Sequence, residues 1–313
     1  MKGLELARRY YIEYGEPMLK NEFPELMGSI AVGLVGEGSE CFGFDDDVST
    51  DHDFEPGFCI FVDDDINSRI EFRLERAYAK LPKEFCGFLR QSVSPAGGNR
   101  HGVIKIGDFY GKFVGSANGF DSSNRQNMLY VEDFYFATAT NGEIWHDGNG
   151  RFSAIRKDLL EIPEDVRLKK LASRLVAMGQ SGQYNFTRCL QHGEYGAAQL
   201  ALAEFVKNAI PAVFLLNRKY SPYYKWMFRG MRRLERLSGL ADSFECLLTD
   251  LNSFEDSQIK ADVIEDIASS IISELKEQGI SDAFCNNLDT HAYSVNDKIR
   301  DASMRQMHIM SCV

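Results

Sequence analysis

The sequence predicts an α+β protein, with strands and helices mixed over residues 1–155 and helices alone over 156–313. Three observations predict it. Short apolar runs rich in β-branched residues, bounded by glycine and polar loops, occur in the first half. Apolar residues recur at helical spacing through the second half. The chain has 313 residues, 44% of them hydrophobic, enough for two cores.

Taken in order, Leu4, Ala7, Tyr11 and Tyr14 predict an amphipathic helix over 4–20. Residues 28–35 read as a buried strand that runs into Gly36-Glu37-Gly38-Ser39, and a polar, acidic loop continues through Thr50. Residues 58–62 make a second buried strand, and Ile70, Leu74, Tyr78 and Leu81 mark one face of a helix. Proline and glycine make 91–101 a loop. A third strand over 102–106 leads into Asp108. Tyr135-Phe136-Ala137-Thr138 and Glu143-Ile144-Trp145 flank Asn141-Gly142, the signature of a hairpin turn. Beyond Glu164, Leu168, Leu171, Leu175 and Met178 form a helical stripe. Residues 195–216 are a long apolar stretch that Pro211 is expected to kink or end. Further helices fit 223–239, 257–278 and 294–309.

Composition excludes some roles. With 46 acidic and 35 basic residues the formal charge is −11, which argues against non-specific nucleic-acid binding, since phosphate contacts depend on Lys and Arg. The seven cysteines are scattered and form no CxxC pair, so neither a zinc site nor a disulfide framework is expected, and they read as reduced thiols of a cytoplasmic protein. The N-terminus lacks the continuous apolar core of a signal peptide. No apolar run reaches the ~20 residues of a membrane span, so no membrane partner is expected.

The chemistry concentrates in 36–54. Gly38-Ser39 is followed by eleven residues and then Asp51-His52-Asp53-Phe54. Carboxylates two apart on an extended segment face the same side, and their like charges repel unless a cation lies between them. Magnesium takes hard oxygen ligands from a few carboxylates and substrate phosphates. A Gly-Ser turn after a buried strand offers backbone N–H groups and a hydroxyl to phosphate oxygens, and glycine lets the backbone approach closely. Together the two pieces suit a metal-bound nucleoside triphosphate. His52, between the acids, points to the opposite side and reads as packing, and Asp45, Asp46 and Asp47 read as a solvated loop.

Glycine-serine, a spacer of this length, then acid-any-acid-hydrophobic resembles the signature of the DNA polymerase β-like nucleotidyltransferases, a group that includes the aminoglycoside and lincosamide nucleotidyltransferases. The segments GFDDDVSTDHDFEPGF, HGVIKIGDFY, ATATNGEIWHD and NRKYSPYYKW are similar to the bacterial DUF4037 nucleotidyltransferase-like proteins, over most of residues 28–235. The resemblance implies a small mixed sheet with helices on one side, followed by a helical bundle like that of kanamycin nucleotidyltransferase. It implies that Gly38 and Ser39 grip the triphosphate and that Asp51 and Asp53 hold one or two magnesium ions. It implies a third acid on a later strand, for which Asp108 is the candidate and Glu132-Asp133 the competitors.

The expected chemistry is in-line attack of a hydroxyl on an α-phosphate, with metals holding the attacking and leaving oxygens and a general base aiding the nucleophile. Antibiotic-modifying relatives use a glutamate near the acceptor; Glu204, which shares a polar stripe with Lys207 and Asn208, is the candidate here. Arg100 and His101, after Gly97-Gly98, are candidates for phosphate contact, the alternative being a plain loop. In Tyr220-Ser221-Pro222-Tyr223-Tyr224-Lys225-Trp226 the rings can stack on a base, with Lys225 meeting phosphate; the alternative is a helix start packed on the bundle. The expected function is transfer of AMP from ATP to a small hydroxyl acceptor bound between the domains. A protein AMPylase, an RNA nucleotidyltransferase and a non-catalytic nucleotide-binding regulator remain as alternatives.

Overall fold

A computed structural model describes residues 1–48, 55–90, 100–249 and 254–313, the side chains of 254–257 excepted. It is an α+β structure whose chain divides into two compact units, Met1–Asp121 with Tyr135–Glu161, and Ser122–Phe134 with Ile162–Val313. A cut at 155/156 would fall inside a helix, Arg151–Leu160.

The first unit opens with α1 (Gly3–Tyr10), a π-helical turn over Tyr11–Gly15, and α2 (Glu16–Glu22). Pro17 lies in the first turn of α2 and has no N–H to give back to the preceding turn, so the widened π turn passes the chain across it without ending the helix. Strand β1 (Ala31–Leu34) and strand β2 (Cys59–Val62) are buried throughout. Helix α3 (Ser68–Ala79) is started by the Asn67 side chain, which accepts from the Arg69 N–H at 2.9 Å. Strands β3 (Glu84–Phe85) and β4 (Phe88–Leu89) form a small hairpin. Then come β5 (Gly102–Lys105), α4 (Ile106–Val114), α5 (Asp133–Thr140), β6 (Glu143–Asp147) and α6 (Arg151–Leu160).

Among the described residues the main sheet has four strands in the order β5-β2-β1-β6. It is mixed: β1 runs antiparallel to β2 (Val32 opposite Ile60) and to β6, whereas β2 and β5 are parallel (Ile60 opposite Val103). Helices cover both faces, a correction to the one-sided arrangement implied by the resemblance. On one face Val32, Ile60 and Val62 pack with Leu6, Tyr10, Leu74 and Tyr78. On the other, Phe61 meets Phe109 of α4 at 5.1 Å between ring centres and Phe152 of α6 at 4.3 Å. Alternation along β2 produces this split, because Phe61 must point opposite to Ile60 and Val62.

The hairpin expected at Asn141-Gly142 is also corrected. Tyr135-Phe136-Ala137-Thr138 lies within α5, not a strand. Phe136, Ala139 and Thr140 are buried at helical spacing, and the Thr140 hydroxyl donates to the Phe136 carbonyl at 2.7 Å. The Asn-Gly turn therefore links a helix to a strand. Gly142 has φ +63°, and a Cβ there would collide with the Leu34 carbonyl and approach Val35 Cα at 2.9 Å. Gly142→Ala is expected to cost about 3 kcal/mol from backbone strain plus overpacking, read as a drop of several degrees in Tm. A wild-type melting curve would refute the close packing.

The second unit is helical. Its central helix, α7 (Glu164–Met178), is buried from Val166 to Met178 and packs against α9 (Tyr195–Leu216) and α13 (Leu288–Asp297). A π-helical stretch, Gly179–Phe186, leads to α8 (Thr187–Gln191), and α10 (Tyr224–Met231), α11 (Leu240–Thr249), α12 (Phe254–Glu277) and α14 (Ala302–Gln306) complete the unit. Pro211 does not end α9, which runs on to Leu216: Ile210, Ala212 and Val213 are buried, and packing of a long apolar helix outweighs one lost backbone bond. The single helix expected over 294–309 is two, α13 and α14, because Asp301 caps a new start by accepting from the Ser303 and Met304 N–H groups. Likewise 223–239 holds only α10, and α11 begins after it.

The buried faces of α7 include four cations that the apolar stripe did not announce: Arg167, Lys169, Lys170 and Arg174. Each has a partner: Glu164 for Arg167, the Asn296 side chain and the Met307 carbonyl for Lys169, Asp133 for Lys170 and Arg174. Among the described residues α9 is the helix long and apolar enough to cross a membrane by length and composition, and 67% of that stretch is buried within the protein.

Candidate functional site

In the first unit, β1 leaves the sheet at Leu34 and turns through Gly36-Glu37-Gly38-Ser39 into a short 3-10 turn, Glu40–Phe42. The loop is held from three directions. From below, Asn141 grips Gly36 with both ends of its amide: Oδ1 accepts from the Gly36 N–H at 2.8 Å and Nδ2 donates to the Gly36 carbonyl at 2.7 Å. The Gly142 N–H donates to the Cys41 carbonyl at 2.8 Å. From the side, Arg100 donates to the Glu37 carbonyl at 2.7 Å and forms an ion pair with Glu40. From α4, Lys112 meets the Glu37 carboxylate at 2.9 Å. The Ser39 carbonyl accepts from the Phe42 and Phe44 N–H groups.

Gly38 is required at its position. Its φ is +121°, and a Cβ would run into the Arg100–Glu40 ion pair. A cleft of about 160 Å³ opens beside the loop, bordered by Val35, Gly36, Glu37 and Arg100 on one side and by Asp108, Phe109, Lys112 and Phe113 on the other. The buried thiols close by are chemically quiet. Burial pushes the Cys59 thiol up to about 12 and the Cys41 thiol well above its ordinary value, so neither supplies a thiolate nucleophile at neutral pH.

Of the residues expected at the site, Gly38, Ser39, Arg100 and Asp108 fall in one neighbourhood of the first unit. Asp51, His52 and Asp53 lie outside the described residues. The chain re-enters the described structure at Glu55, which pairs with His101 at 3.0 Å, and the His101 imidazole packs on Gly57. Asp108 stands on the exposed first turn of α4, past the end of β5, and not on a strand. Asp45 is no solvated loop residue. It is buried, and its carboxylate accepts from the Gly3 N–H at 2.8 Å at the start of α1.

Glu204 and Lys225 belong to the second unit. Glu204 is half-exposed on α9; Asn208 donates to its carboxylate at 2.8 Å, and Lys207 approaches it at 3.5 Å. Lys225 lies over the Trp226 ring at 4.6 Å in the first turn of α10. Asp133 is buried and bonded to Lys170 at 2.8 Å and Arg174 at 3.2 Å, which occupies both of its oxygens. Glu132 is exposed. Sequence reasoning missed Asn141, which it read only as a turn former.

Residues 129–227 match DUF4037, a domain of unknown function. The chain is also similar to the crystal structure of a nucleotidyltransferase-like protein from Exiguobacterium sibiricum 255-15, at 13% identity over 94% of this chain and 89% of that one, with a TM-score of 0.35. No curated protein matches. The matched segment takes in the Asn141-Gly142 turn, Asp133 and the cations of α7 that hold it, together with Glu204 and Lys225. Over these residues the chain is similar to the DUF4037 family.

Proposed function

We propose that this chain is a magnesium-dependent nucleotidyltransferase that moves AMP from ATP to a hydroxyl of a small acceptor. The observation that carries the reading is the register of β1 against β2. Gly33 stands opposite Cys59, so the chain entering β2 runs back along the chain leaving β1. Asp51 and Asp53 precede that entry by a few residues, and Gly38-Ser39 follow that exit by a few. The braced loop supports the reading too, since a phosphate cradle works only if its backbone is fixed before the ligand arrives.

In this proposal Gly38 and Ser39 bind the triphosphate through backbone N–H groups and the Ser39 hydroxyl. Asp51 and Asp53 would hold the cation, and an all-oxygen donor set suits magnesium. Among the described residues no group of three or more His, Cys, Asp or Glu side chains could hold a metal ion; Asp51 and Asp53 lie outside them, and Asp108 would be the third ligand. Bound magnesium would neutralise charge on the phosphates as the bond to pyrophosphate breaks. The acceptor oxygen attacks the α-phosphorus, pyrophosphate leaves from the opposite side, and the hydroxyl proton passes to a base.

The test is a screen of ATP, GTP, CTP and UTP, each labelled at the α-phosphate, with magnesium and cell extract. Pyrophosphate release together with transfer of label is expected, strongest with ATP and abolished by EDTA. The reading is lost if none of the four yields either product.

A further inference from the structure

We propose that Asn141 is the positioning residue for the Gly36–Ser39 loop, and that it sets the affinity of this loop for the polyphosphate of a nucleotide; the inference rests on the nucleotidyltransferase reading. The geometry is specific. The carboxamide of Asn141 makes a two-bonded ring with a single peptide residue, taking both the N–H and the carbonyl of Gly36 at 2.8 and 2.7 Å. This fixes the two peptide units that meet at Gly36, where the loop leaves β1, two residues before Gly38. The next residue's N–H, from Gly142, fixes the far side of the same loop at the Cys41 carbonyl. The loop is thus pinned at both ends by one dipeptide, and the residues between are those that would meet phosphate.

The dipeptide is itself held. The Arg156 guanidinium, on α6, donates to the Thr140 carbonyl at 3.0 Å and the Gly142 carbonyl at 2.9 Å, on either side of Asn141. Burial works against the charge and lowers the pKa of Arg156 despite nearby Tyr110 and Glu143. A cation kept in such surroundings by two carbonyls is a brace for the turn. A chain of contacts therefore runs from Arg156 through Asn141 to Gly36, and none of its members needs to touch the ligand.

A backbone nest binds anions only while its N–H groups converge, so loosening the loop must weaken phosphate binding and leave contacts to the rest of the nucleotide intact. The test compares Mg·ATP, ADP and adenosine binding by calorimetry to wild type, Asn141→Ala and Asn141→Asp, with Tm for each. Asn141→Ala removes both bonds. Asn141→Asp keeps the acceptor for the Gly36 N–H but sets a carboxylate against the Gly36 carbonyl, and it carries the test if the alanine variant does not fold. Both are expected to bind Mg·ATP about tenfold or more weakly, the alanine through two lost hydrogen bonds to a buried backbone and the aspartate through one lost bond and an acceptor set against an acceptor, with adenosine binding unchanged. Arg156→Gln is expected to move in the same direction by less. Equal losses for ATP and adenosine, or none for either, overturn the assignment of Asn141 while leaving the proposed function in place. If wild type itself binds none of Mg·ATP, Mg·GTP, Mg·CTP or Mg·UTP, the nucleotide reading falls and this inference with it.

Discussion

Replacing Asp51 and Asp53 together by alanine is expected to lower nucleotidyl transfer by a factor on the order of 10³ or more, with the thermal midpoint of the ligand-free protein unchanged or slightly raised. A metal that neutralises the transferring phosphoryl group supplies several kcal/mol, and each ~1.4 kcal/mol is tenfold in rate. Carboxylates two residues apart on an extended segment face the same side and repel when no cation lies between them, so the variant is expected to relieve a repulsion in the free protein. Linkage separates the roles further. Magnesium with a triphosphate should raise the midpoint of wild type through preferential binding to the folded state, and should not raise that of the variant. Activity at the wild-type level in the double variant would remove these aspartates from the chemistry.

The sequence suggests the parts of the proposed site more readily than the supports of its loop. Strands β1, β2 and β5 are legible as apolar, β-branched runs, and their order with Gly38-Ser39 and Asp51-His52-Asp53 between them suggests the chemistry. The two faces of the sheet are equally legible in principle, since Phe61 must oppose Ile60 and Val62. What fails is local chemistry whose partner is remote. Asn141-Gly142 satisfies a hairpin turn as well as a helix-to-strand link, and the deciding contact, with Gly36, is 105 residues away. Asp45 reads as one of three solvated acids until the start of α1 is brought against it. The apolar stripe of α7 does not announce its buried lysines and arginines, because nothing local says that Asp133, Asn296 and Met307 will surround them. Helix periodicity reports where apolar residues lie and is silent on which polar residues will find partners inside.

Asp133 carries the second large prediction. Asp133→Ala is expected to destabilise the protein by about 3–5 kcal/mol, because it leaves Lys170 and Arg174 charged, buried and without their carboxylate. Lys170 keeps the Val131 carbonyl at 2.6 Å, and Arg174 a long bond to Asn208 at 3.5 Å. The wild-type group shows the same balance from the other side. Burial pushes the Asp133 carboxyl up, yet the charges and hydrogen bonds of Lys170 and Arg174 outweigh burial and hold it below the ordinary carboxylate range. A folded pKa below the unfolded one means that the stabilisation is complete above about pH 4, the unfolded value. It is lost as pH falls from there through the lower folded value. Wild type should therefore lose midpoint steeply in that acid window, and Asp133→Ala, already lacking the group, should lose less over the same interval. Parallel acid profiles for the two proteins would mean that the three charges do not act as one unit. Asp133→Asn separates charge from shape: it keeps the volume and one acceptor but removes the carboxylate that the two cations share. A loss close to that of alanine is expected, since the penalty is that of uncompensated buried charge and not of a cavity.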